Sequence, residues 1–178
     1  DTTPLAEGDR SFLRAKFEEL KVVNPDGTTG VNLRIEEEWN SSGNATVNGT
    51  TLRRSAISYL AGRTPAEPCH HHYLLVGAPS GQRWGVANTG GWVSIVKSDT
   101  TGFSGSREDV IVHELLHNLV GTLDTDRDGV RPDGTHTDAG WLQPVAEMGG
   151  PSSLHAASRA KLNDHGFANA YASEPGCV

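Results

Sequence analysis

Between Asp109 and Asp124 the chain reads Asp-Val-Ile-Val-His-Glu-Leu-Leu-His-Asn-Leu-Val-Gly-Thr-Leu-Asp, and no other stretch limits the fold so tightly. Val110, Ile111, Val112, Leu115, Leu116, Leu119 and Val120 are apolar almost all round a helical wheel, which predicts a helix buried on every side. His113 and His117 are one helical turn apart and share a face. Two imidazoles and the Glu114 carboxylate inside such a helix need partners, because polar groups taken out of water without them are costly. A metal ion would supply them; hydrogen bonds within the core are the alternative. Ser106 is a suitable N-cap, Glu108 and Asp109 match the positive end of the helix dipole, and Gly121 is suited to ending the helix.

The spacing His113-Glu114-x-x-His117 is that of zinc peptidases, in which the histidines hold the metal and the glutamate exchanges a proton with the activated water. A catalytic zinc has three protein ligands and one open position, so one ligand remains to be found. Asp124 is the first choice, since a turn at Gly121 could swing its carboxylate back toward the metal. His136, with Asp138 behind it, is the rival. The run from Asp124 to Gly129 also opens like a calcium loop, with oxygen donors at alternate positions. The bidentate glutamate such a loop ends on is replaced by Thr135, so an EF-hand is not expected. A calcium site of another kind, built from Asp126, Asp128, Asp133 or Asp138, competes on equal terms with a solvated acidic loop. If calcium takes Asp124, zinc needs His136.

The 178 residues suit one domain spanning 1–178, with an N-terminal arm over 1–8 and an irregular acidic loop over 120–145. A net charge of -7 and a sequence pI near 5.5 leave no basic field for nucleic acid or an anionic membrane surface, and no apolar run is long enough to span a bilayer. Cys69 and Cys177 would form a disulfide in an oxidising compartment, worth about 3–5 kcal/mol for so long a loop in the chain-entropy model; two free thiols are the alternative. Asn40, Asn44 and Asn48 begin glycosylation sequons in a Gly- and Ser-rich loop. A chain starting at Asp1 fits a mature form whose leader has been removed, or a boundary imposed otherwise. Together these features lead to the expectation of a secreted monomer.

Periodicity predicts a helix from Asp9 to about Leu20 capped by Asp9 or Ser11, a turn at Pro25-Asp26-Gly27, a strand from Val31 to Trp39, and a helix from Thr51 to Ala61. Strands follow over 73–78, 84–87 and 92–96, arranged as a meander with glycine corners, and a last helix runs over 153–165. His70, His71 and His72 read as a solvated or locally bonded cluster rather than a metal site. The fold class expected is α/β or α+β: a single compact domain with a twisted mixed sheet, backing helices and the His113–His117 helix on the floor of a cleft.

At this point the chain resembles the metzincin clan of zinc peptidases, and in particular its snapalysin group, whose third ligand is aspartate. The resemblance covers about residues 70–165 and rests on the His-Glu-x-x-His helix, the strands before it, and Glu147-Met148-Gly149-Gly150 ahead of the final helix with Ser158-Arg159. It implies that His113 and His117 bind zinc, that Glu114 is the general base, and that Met148 lies in a turn beneath the metal. The clan's glycine follows the second histidine by three residues; here Val120 holds that place and Gly121 comes one later.

The expected activity is hydrolysis of peptide bonds in proteins or peptides, with substrate extended along a sheet edge. Oxyanion stabilisation would come from zinc alone or with a donor such as Tyr171 or His155. Two other classes stay open: a catalytically silent secreted binding module with a closed zinc site, and a calcium-dependent surface domain. Glu114 has no evident use in either.

Overall fold

The computed structural model describes residues 5–23, 27–35, 72–77, 84–87, 89–90, 93–98, 102, 105–121, 136, 140–142 and 154–165. They form a mixed α+β arrangement of α1 (Glu7–Glu18), β1 (Tyr73–Gly77), β2 (Gly85–Ala87), β3 (Val93–Lys97), α2 (Arg107–Val120) and α3 (Ala156–His165). The expected helix over 51–61, the sequons at Asn40, Asn44 and Asn48, His70 and His71, and Cys69 and Cys177 lie outside the described residues.

Helix α1 begins earlier than its apolar periodicity suggests. Asp9 does not cap it from outside; its carboxylate reaches back one turn to accept the Ala6 amide at 2.9 Å, so Ala6 becomes the N-cap. Ser11, the other cap considered, lies inside the helix. Asp9 also receives Arg107 Nη2 at 2.7 Å, joining the starts of α1 and α2. At the other end the Phe17 carbonyl accepts the amides of Leu20 at 3.2 Å and Val31 at 3.0 Å, as the chain doubles back across the helix terminus. Gly30 permits this crossing: its φ is 91°, and a Cβ there would meet the Glu18 carbonyl oxygen at 2.5 Å.

Beyond that crossing, the strand expected from Val31 does not form over 31–35. The alternation itself is present, with Val31, Leu33 and Ile35 half-buried against the core and Asn32 and Arg34 exposed. Period-two burial therefore arises here from an extended segment lying on the core, without a ladder.

The sheet is mixed, in the order β1-β3-β2. β1 runs parallel to β3 with Leu74 opposite Ser94 and Val76 opposite Val96, whereas β2 runs antiparallel with Val86 opposite Ile95. A meander would have placed β2 in the middle, so that expectation is corrected. The reason lies in burial: Ser94, Ile95 and Val96 of β3 are buried, which suits the central position, while the three residues of β2 are half-buried and suit an edge. Lys97 holds the open end of the β2–β3 pair, its amide donating to the Trp84 carbonyl at 2.7 Å and its ammonium lying 4.5 Å from the Trp84 ring centroid.

Helix α2 is the centre of the core. Every residue from Val110 to Val120 is buried, and the helix packs against β2, β3, α1 and α3. Each fully buried Leu or Ile side chain contributes about 1.5–3 kcal/mol relative to exposure, and Ile111 and Leu116 are both at 0 %. Leu13 and Phe17 of α1, Leu142, and Leu154 and Leu162 beside and within α3 complete the same cluster. Helix α3 starts at Ala156, three residues later than periodicity suggests, and Asn163 receives the Val23 amide at 3.1 Å. No described helix is long and apolar enough to cross a membrane.

The start of α2 is fixed by a reciprocal capping box. Ser106 Oγ accepts the Asp109 amide at 3.1 Å, and Asp109 Oδ2 accepts the Ser106 amide at 2.9 Å. Ser106→Ala should cost about 1 kcal/mol, read as a lower urea midpoint with an unchanged m-value.

Candidate metal centre

One turn of α2 separates His113 from His117, and their rings meet edge to face with centroids 4.6 Å apart. Their Nε2 atoms face one another at 3.0 Å. His136, which follows α2 by a long stretch of chain, brings its ring to 5.4 Å from that of His113 and 4.8 Å from that of His117. The donor nitrogens of the three lie within 4.8 Å of one another.

The protonation pattern follows from one backbone contact. His113 Nδ1 lies 2.8 Å from the Trp141 carbonyl, which can only accept, so Nδ1 carries the proton and donates it. Burial at 1 % exposure lowers the His113 pKa from the usual 6.5 to about 4; the Trp141 carbonyl opposes this and the charge of His136 adds to it. The ring is therefore neutral at pH 7, and its Nε2 presents a lone pair toward His117. In the absence of an ion, His117 can answer that lone pair only by donating its own Nε2 proton.

Three imidazoles with convergent nitrogens are a donor set suited to zinc, copper, iron or nickel. A tetrahedral zinc with bonds of about 2.0–2.1 Å holds its ligand nitrogens about 3.3–3.4 Å apart, close to the spacing of the His113 and His117 nitrogens. The Trp141 carbonyl adds the outer partner that fixes a ligating histidine in the required tautomer. The residues thus fit a bound metal ion, though the donor set does not by itself select one.

Other contacts hold this face of α2 in place. Ser94 Oγ on β3 donates to Asn118 Oδ1 at 2.6 Å, with both side chains buried. The Gly90 amide, between β2 and β3, donates to the His117 carbonyl at 2.8 Å, and the Gly121 amide reaches the same oxygen at 3.3 Å. Gly121 ends the helix with φ 71°, at the position expected from sequence. Glu114, only 3 % exposed, lies directly against Gly85 at the start of β2.

Of the residues singled out from sequence, His113, His117 and His136 come together, and Glu114 stands next to His113 on α2 with its side chain against Gly85. Asp124, placed ahead of His136 as third ligand, lies outside the described residues, as do Asp126, Asp128, Asp133, Asp138, Met148 and Tyr171. His155 stands just before α3, where its Nδ1 accepts the Ala157 amide at 3.2 Å. Sequence reasoning missed Trp141, which acts through its backbone and leaves no side-chain signal, and the Ser94–Asn118 pair. It also passed over Gly85, although a glycine inside a strand is a recognised sign of close approach by another group. Comparison of the chain with known protein families, curated proteins and solved structures finds no match.

Two outcomes are expected. The unfolded chain takes up a proton at His113 near pH 6.5 and the folded chain only near 4, so this group's contribution to stability is complete above about 6.5 and lost as pH falls toward 4. The loss in metal-free protein should approach about 3 kcal/mol, read from urea unfolding across that range; a flat profile would contradict a buried neutral His113. Partners of metal ligands alone are worth about 10–100-fold in affinity, so His136→Ala should weaken zinc binding by more than about a hundredfold in chelator competition.

Proposed function

We propose that this chain is a zinc-dependent endopeptidase hydrolysing peptide bonds in proteins or peptides, with His113, His117 and His136 as zinc ligands and Glu114 as general base. The observation that carries the reading is the placement of Glu114: a buried carboxylate next to His113 on α2 and in contact with the first residue of strand β2. A purely structural ion has no use for such a group.

Zinc in this site would supply Lewis acidity, polarising the scissile carbonyl and acidifying water. Glu114 accepts the proton of the attacking water and returns it to the leaving amine nitrogen. Trp141 keeps the proton of His113 on Nδ1, so Nε2 stays available as a donor. Among the described residues β2 pairs only with β3, and its other edge suits an extended substrate through main-chain hydrogen bonds. The kinship with the metzincin clan, secretion and the Cys69–Cys177 disulfide belong to the same proposal and rest on sequence alone; for the acidic loop a calcium site and a solvated loop stand as equal alternatives.

Glu114→Gln preserves size and removes the base. It should retain one zinc per chain by mass spectrometry while casein hydrolysis falls by roughly 10²–10⁴-fold. Hydrolysis at the original rate by the zinc-loaded variant would sink the assignment.

A further inference from the structure

We propose that Gly85 is the positioning residue for Glu114: the missing side chain at the start of β2 makes the space in which the carboxylate is held. This inference rests on the peptidase reading of Glu114 and adds to it what sets the reach of the base. A Cβ built on Gly85 would lie 2.6 Å from Glu114 Cγ and 2.8 Å from Cδ, and closer still to Oε1. All three of its nearest heavy atoms belong to that one side chain.

Gly85 has no conformational reason to be glycine. It lies within β2, paired opposite Val96, in extended backbone that any residue adopts. Space is what the position requires. The obstruction is side chain from Cγ outward rather than backbone, so an added methyl group is accommodated by swinging the Glu114 side chain about its Cα–Cβ bond, which carries the carboxylate aside. The fold is held by other groups: Ser94 to Asn118, the Gly90 amide to the His117 carbonyl, and the apolar residues of α2. A substitution at Gly85 therefore moves the carboxylate while leaving the ligand histidines in place.

The same contact gives the base a fixed relation to substrate. Glu114 rests on the backbone of the edge strand along which substrate would pair, so one element sets both the height of the peptide and the position of the group that handles its proton. A displacement of about 1 Å at such a group is worth about a hundredfold in rate.

The test uses Gly85→Ala, Glu114→Ala, Glu114→Asp, and the pairing of Gly85→Ala with each. In metal-free protein, Gly85→Ala should lower the urea midpoint when Glu114 is present and leave it unchanged in the Glu114→Ala background, the non-additivity that marks direct contact. Additive midpoints overturn the contact. In zinc-loaded protein, Gly85→Ala should keep one zinc per chain and lower kcat on casein about a hundredfold with KM within about twofold. Glu114→Asp, one methylene shorter, should make room for the methyl, so that the double variant is faster than the product of the two single effects. An unchanged kcat in Gly85→Ala overturns the positioning role and leaves the peptidase reading standing. Absence of casein hydrolysis by the zinc-loaded unsubstituted chain, with non-additive midpoints retained, overturns the catalytic meaning and leaves the contact.

Discussion

Burial of α2 on all its sides takes two imidazoles and a carboxylate out of water, and the neighbouring elements are arranged around the needs of those three groups. Desolvation keeps His113 neutral at physiological pH, and the Trp141 carbonyl decides which nitrogen holds the remaining proton. The apolar residues of the helix make this placement affordable: Val110, Ile111, Leu116 and Val120 are at 0 % exposure on the same fourteen-residue element. The polar groups thus sit in a helix whose position is set by hydrophobic packing, and their own interactions need only set orientation. Such an arrangement positions the donor atoms through the packing of the helix that carries them, which is the preorganisation a metal centre requires.

The β2–β3 pair is the second half of this arrangement. Gly85 meets Glu114, the Gly90 amide meets the His117 carbonyl, and Ser94 meets Asn118, so one short stretch of sheet follows α2 from the carboxylate to the helix end. Each contact works by a different physical means: an absent side chain, a backbone donor, and a buried hydroxyl. Together they fix the helix in rotation as well as in position.

Much of this was legible in the sequence because α2 carries its own signals. The apolar wheel, the Ser106 cap, the Gly121 terminus and the paired histidines each act locally, and each is found where the pattern put it. His136 could be named only as a rival to Asp124, because its place depends on the path of the chain after Gly121. Trp141 could not be named at all, since any residue offers the same carbonyl. The strand order was misread for a related reason. Short runs such as Gly85–Ala87 and Val93–Lys97 reveal that they are strands, but which becomes central is decided by burial between layers. The Val31–Ile35 segment makes the same point in reverse, having the alternation of a strand without becoming one.

The strand order has a consequence for how the molecule assembles. β2 and β3 are joined by a short connection and pair antiparallel, a unit that can close within about 1–10 μs, whereas the parallel partner β1 precedes both and reaches β3 across β2 in the chain. The contacts that steady α2 therefore come from two strands that are neighbours in the chain. The Trp141 carbonyl reaches His113 from 28 residues away, much as Ser94 reaches Asn118 from 24, so the tautomer-fixing bond closes a loop about as long as those of the sheet contacts. Held by all three imidazoles, a metal ion would tie α2 to the chain beyond it and add its binding free energy to the stability of the fold.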